Sequence, residues 1–407
     1  PEAVAHYGAA LAEAGNADAG DARSARELAL ALKLGPMLAN LRGPQHPEVA
    51  VVYARAHDLA AALGDHAARF KATWGQWYNV LVGRRLDLAR ERADALIELA
   101  AKTGGIDLAL ESIHCRWSTA MFRGEFPMAR DLADDGAARY DRAKHAWMGP
   151  VFGGHDPGVC AFCVAAVAHL MAGSRSRADE RSQRSVALGE ALRHPLTLGH
   201  AIMNRLTFLQ QIGDSHGAAD LARRLLELAD RYTLPPFRAH ALMVGSWARV
   251  IGGDVDGGIH PLEDEYPRAA AVGPMFRYYA MLLVDARLRA GRAAEALALA
   301  RDSLGTVSEP GVGMFVPELH RLAAAAAAAA GDADGCVQAL RAAHDIACQQ
   351  GSTLHALRAA IALAQAPSPA ARDDGRARLR TLLAARHATF DVDERASAER
   401  IVACAAA

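Results

Sequence analysis

The residue types most able to do chemistry are sparse and do not assemble into a recognised reaction signature. Cys160-Ala161-Phe162-Cys163 sets two thiols at helical spacing, with His155 five residues before the first. Such a pair could ligate a metal or exchange disulfides. A structural zinc site needs two further ligands, no second cysteine pair exists, and flanking Val159, Phe162, Val164 and Val167 read equally well as core. Glu111 with His114, and His194 with His200, have acid–base spacing, but seventeen histidines make such pairs expected by accident. Neither a Gly-x-x-x-x-Gly-Lys-Ser/Thr phosphate loop, nor His-Glu-x-x-His, nor Gly-x-Ser-x-Gly occurs. Asp134-Asp135 and Glu263-Asp264-Glu265 read as solvated helix faces. The expectation is a chain with no catalytic residue, no cofactor and no metal.

The most unusual local sequence is Gly153-Gly154-His155-Asp156-Pro157-Gly158-Val159. Asp before Pro before an apolar run is an N-cap with proline at the first helical position. Capping leaves the glycines and His155 unexplained, and they fit a loop folded toward a groove. Further candidates for contact with a partner are Trp77, Arg116, Asn204, Arg205, Arg277 and Tyr278, polar or amphipathic residues on the first helices of the pairs described next. For the aromatics among them, core packing is the competing reading.

What must position these residues is a recurring turn. Gly124, Gly173, Gly213, Gly253, Gly291 and Gly331 are each followed five residues later by a small residue: Ala129, Ala178, Ala218, Gly258, Ala296 and Cys336. Gly83 opens the series more loosely, with Leu88 in the small-residue place and Ala89 after it. The glycines lie 41, 49, 40, 40, 38 and 40 residues apart, a period that means a solenoid. Glycine ends one helix in the left-handed conformation, and the small residue lets the next helix start close against it. The expected fold is all-α, a right-handed superhelical solenoid of about eight tetratricopeptide-like helix pairs. Residues 1–46 form an N-terminal cap, 47–365 the repeats and 366–407 a C-terminal cap. Pro36 is expected to interrupt the helical pattern, and Asp21 to cap a helix. The 49-residue gap holds an insertion, Asp141–Asp156. The unit resembles the tetratricopeptide repeat, with a period longer than the usual ~34 residues.

Composition agrees. The 407 residues are too many for one ordinary core, which a solenoid avoids by burying each repeat against its neighbours. Net charge is −1, so no global field draws in nucleic acid or an anionic membrane. Six cysteines inside helical patterns read as buried hydrophobes of a reducing compartment. With no long apolar run and no signal pattern, the expectation is a cytoplasmic piece of a longer protein.

An ordered set of stretches resembles one family. These are Leu34-Gly35-Pro36, Tyr53-Ala54-Arg55-Ala56 leading to Leu63-Gly64-Asp65, Trp74-Gly75-Gln76-Trp77-Tyr78, Gly124-Glu125-Phe126, Gly154–Val159 and Glu318-Leu319-His320-Arg321-Leu322. They resemble the C-terminal helical-repeat region of large bacterial signalling proteins, in which a class III adenylate/guanylate cyclase or a kinase precedes an ATPase module. The resemblance implies a regulatory or scaffolding arm that binds a protein, a peptide or upstream domains of its own polypeptide. The alternative it leaves open is a small-ligand sensor binding an effector in the solenoid groove.

Overall fold

The computed structural model describes all residues except 1, 17–19, 104–105, 153, 272, 306–311, 386–389 and 405–407. The regular structure among the described residues is helical throughout, and the helices come in pairs, as a repeat solenoid requires. Contacts divide the chain into two compact units. Unit 1 comprises Pro1–Thr119 with Asp135–Pro157, and unit 2 comprises Ala120–Asp134 with Gly158–Ala407.

The recurring turn works as its residue types dictate. Gly213 and Gly331 sit at φ +75° and +82°, in the left-handed region where a side chain is penalised. The aspartate that follows caps the next helix. Asp214 accepts from the Gly217 N–H at 2.9 Å, Asp332 from Gly335 at 2.8 Å and Asp254 from Gly257 at 3.1 Å. The small residue then lies against the preceding helix. At Gly258 even a methyl group would stand 2.6 Å from the Ser246 carbonyl oxygen and 2.9 Å from the Val250 nitrogen, so two backbones meet there.

Three departures from expectation have physical reasons. Gly83 does not take the left-handed conformation (φ −72°). Arg84 does (φ +65°), which moves the register by one and makes fully buried Ala89 the small residue. Pro36 does not interrupt its helix, which runs Asp21–Arg42. Proline removes one N–H donor, and a 22-residue helix absorbs that loss. Asp21 is the first helical residue, so Gly20 holds the cap position. The Asp141–Asp156 insertion contains two single turns of helix, Arg142–His145 and Met148–Val151.

In unit 1, the helix His66–Val82 packs Phe70, Trp74 and Trp77 inward by its three- and four-residue spacing. Phe152 of the insertion meets Phe70 edge-on at 5.9 Å and Trp74 at 5.6 Å. In unit 2, the helices Pro195–Gln211 and Pro235–Ile251 each open with proline in the first turn. Two helices follow the last regular pairs, Pro369–Ala384 and Glu394–Ala403.

Candidate functional site

The seven residues singled out from sequence divide between the units. In unit 1, Trp77 is buried and donates from Nε1 to Thr119 Oγ1 at 2.9 Å. Arg116 is ion-paired with Asp94 at 2.9 Å. His155 is half-buried, with Nε2 3.3 Å from Nε2 of His114. Behind that contact, Glu111 Oε1 lies 3.0 Å from His114 Nδ1 and accepts from Trp74 Nε1 at 2.7 Å. With its Nδ1 against the carboxylate, His114 turns its Nε2 toward Nε2 of His155. Asp156, also buried, accepts from the Tyr140 hydroxyl at 2.7 Å. These contacts, with the Gly154 N–H donating to the Gly149 carbonyl at 3.0 Å, tie down the segment Gly154–Asp156 and give His155 a place that capping did not. Gly153 lies outside the described residues.

In unit 2, Tyr278 is fully buried and stacks on His240, with ring centroids 5.5 Å apart and planes 8° from parallel. Arg277 lies over the Phe276 ring and reaches the Ser303 carbonyl at 3.4 Å. Asn204 donates to the carbonyl of His200 on its own helix at 2.9 Å. Cys160 and Cys163 are buried, and burial together with the neighbouring Cys160 raises the Cys163 thiol well above its usual range. A thiol held protonated is a poor nucleophile, which places Cys163 with the core.

Arg205 is different, because it lines a cavity of about 430 Å³. On the helix Pro195–Gln211, Arg205, Phe208, Leu209 and Ile212 follow at intervals of three, one and three, so one face of the helix and its C-cap supplies a cation and an apolar floor. Arg175, Ser176 and Asp179 come from the first turns of the helix Arg175–Leu192. Asp214 comes from the turn after Gly213. Arg205 pairs with Asp179 at 2.5 Å, and its guanidinium lies 5.2 Å from the Phe208 ring centre. The lining carries one hydroxyl, Ser176, and three carboxylates, Asp179, Asp214 and Asp391, and no imidazole accompanies them. The arrangement is one for holding a ligand, with mixed charge at the rim and apolar surface below.

The remaining lining residue is Asp391, near the far end of the chain. Its carboxylate accepts from the backbone N–H groups of Arg175 and of Ser176, the latter at 2.8 Å. Its own N–H donates to the Gly173 carbonyl at 3.1 Å. Burial pushes the Asp391 carboxyl up, but the hydrogen bonds from Ser176 and from the backbone of Arg175 outweigh it and hold the group below the usual range. Phe390 lies against Gly173, where a Cβ would come within 2.9 Å of its ring. Asp393 pairs with Arg175 at 2.5 Å, and Glu394 with Arg358 at 2.6 Å. Arg358 also donates to the Gln211 carbonyl at 2.5 Å. Arg175, Asp179, Phe208, Arg358 and Asp391 were not singled out from sequence. The local signal for the last was the run Phe390-Asp391-Val392-Asp393-Glu394, apolar and acidic by turns and off the helical period.

No family model matches the chain. An uncharacterized protein of Rhizobium meliloti (strain 1021) is 24% identical over 355 residues, which cover 86% of this chain and 34% of that protein. This chain therefore spans about a third of the length of that curated relative. Among solved structures, a Rap protein complexed with competence and sporulation factor superposes with a TM-score of 0.55 at 11% identity, covering 93% of this chain and 97% of that one. A signal transduction ATPase with numerous domains, carrying a tetratricopeptide repeat sensor and from Pyrococcus horikoshii, gives 0.47 at 12% identity, covering 94% and 52%. The likeness to the Rap protein is one of fold, an all-α helical-repeat solenoid. Among the described residues, no helix is long and apolar enough to cross a membrane.

Proposed function

We propose that the chain is a non-catalytic interaction module that docks a protein or peptide in unit 2 and passes that state to other domains of a longer polypeptide. The observation that carries this reading is the Arg205 cavity, with its apolar floor of Phe208, Leu209 and Ile212 and its charged rim. The Rap protein of like fold is itself complexed with a factor, which supports docking as the use of such a scaffold. In this reading residues 47–365 are the working repeats and the two ends are caps. The family resemblance makes a nucleotide cyclase or an ATPase the output under control. Affinity capture with the whole chain as bait, repeated with Arg205→Glu, tests the proposal. A partner held by the wild type and lost by the variant supports it, and capture indifferent to Arg205 overturns it.

A second reading, a small-ligand sensor, draws on the cavity volume, about 430 Å³, which falls within the roughly 300–1,000 Å³ of small-molecule sites. A thermal-shift screen with nucleotides and metabolites separates the two. A stabilising compound whose effect is abolished by Phe208→Ala favours the sensor.

A further inference from the structure

The stretch Phe390–Glu394, which leads into the C-terminal helix, is seated in unit 2 as a ligand would be. Five consecutive residues each find a place. Phe390 covers Gly173, Asp391 bonds the exposed N–H groups of the helix Arg175–Leu192, Val392 is buried, Asp393 meets Arg175 and Glu394 meets Arg358. The cations and N–H groups of this face are thus matched by carboxylates one, three and four residues after an aromatic. Yet the strap enters the adjoining cavity only through Asp391. The apolar floor of Phe208, Leu209 and Ile212 gains nothing further from it.

We propose that Phe390–Glu394 is a self-docked strap that holds the place of an acidic segment of a partner protein, one that turns into the start of a helix as the strap does, and is displaced when that segment docks. The proposal rests on the interaction-module reading and adds the chemistry of the partner: an aromatic residue followed directly by aspartate, with further carboxylates two and three residues beyond the aspartate. Tethering gives the strap an effective concentration on the order of millimolar, so an isolated copy of its sequence competes poorly. A partner prevails by adding apolar side chains that fill the cavity the strap leaves. The outermost contact of the strap suits exchange, since the Asp393 side chain is 79% exposed and its ion pair with Arg175 is a surface one. The Glu394–Arg358 pair is more deeply set and is the one an incoming carboxylate must replace.

The test uses the full chain and a fluorescein-labelled peptide of residues 390–395, Phe-Asp-Val-Asp-Glu-Arg, followed by fluorescence anisotropy. Wild-type chain is expected to bind it at least tenfold more weakly than Phe390→Ala/Asp391→Ala, in which the strap is released. Adding Arg175→Glu to that variant is expected to remove the gain, and a peptide with lysines in place of the acidic residues is expected not to bind. If the released variant keeps its helical circular dichroism and shows no gain, the strap is a structural cap and the proposal falls. Should that variant lose helicity, Asp391→Asn decides in its place, with about a threefold gain expected and none overturning the idea. A negative result here alongside Arg205-dependent capture leaves the interaction module standing without its strap. A positive result without such capture separates the two the other way.

Discussion

Arg358 donates to the backbone carbonyl of Gln211 across 147 residues of sequence, at 2.5 Å. The same guanidinium holds Glu394 at 2.6 Å and stands 3.9 Å from Glu318, which Arg321 grips through both oxygens at 3.0 and 2.7 Å. A late repeat, an early repeat and the C-terminal helix therefore share one partly buried cation. Removing it leaves Glu318 and Glu394 short of a partner. Arg358→Ala is expected to cost about 2 kcal/mol, the scale for losing hydrogen bonds to charged groups, in urea unfolding of the whole chain.

Glu318 also sets the acid limb of stability. Burial raises its carboxyl, yet Arg321 and Arg358 overcome that and depress it far below the usual 4.5. A depressed carboxyl contributes stability above its unfolded pKa and loses it as pH falls toward the folded one. Stability should thus decline below about pH 4.5, and Glu318→Gln should flatten that decline while lowering stability at pH 7.

His355 acts over a higher window. Burial outweighs the attraction of Glu318 and holds its imidazole down at about 4 against an ordinary 6.5. Between those values the unfolded chain takes up the proton and the folded one does not, so stability rises with pH from 4 to 6.5. The span amounts to about 3 kcal/mol, at 1.36 kcal/mol per pKa unit. Chemical denaturation of His355→Leu across that range should show a correspondingly shallower slope.

Two glycines in one turn type should fail for different reasons. Gly213→Ala meets nothing within 4 Å and suffers only its left-handed backbone, a cost of roughly 1–2 kcal/mol. Gly258→Ala drives a methyl into the carbonyl of Ser246 and should cost about 3 kcal/mol or more. If equilibrium unfolding gives equal losses, the close approach of those helices is not what selects the small residue.

Thr233 occupies φ +54°, a poor place for a β-branched residue, and its side chain is exposed. Thr233→Gly is expected to raise stability by about 1 kcal/mol, measured as a shift in urea midpoint without change in slope.

The turns legible in the sequence were those where chemistry is local. Gly213-Asp214 and Gly331-Asp332 announce both the helix stop and the next cap. Arg84, Arg193 and Thr233 perform the same stop without glycine, so residue type hides them. At the site, Arg205 was visible as a polar residue on the first helix of its pair. Asp391 was not, because its partners Arg175 and Ser176 lie more than 200 residues away and no periodicity links them. Trp77 and Tyr278 show the converse. A helical stripe of aromatics looks the same whether it faces a groove or a core, and both side chains are buried.

Gly313 closes one more long connection. Its N–H donates to the Arg123 carbonyl at 3.1 Å, and its own carbonyl accepts from the Gln350 side chain at 2.9 Å. A linear array of repeats, coupled only between nearest neighbours, can fray from either terminus one repeat at a time. In unit 2 the first segment is clasped by the late repeats, so peeling either end alone must break bonds to the other. On that wiring unit 2 is expected to open as one cooperative block rather than as a row of separable pieces, with a single unfolding transition and one protease-resistant core.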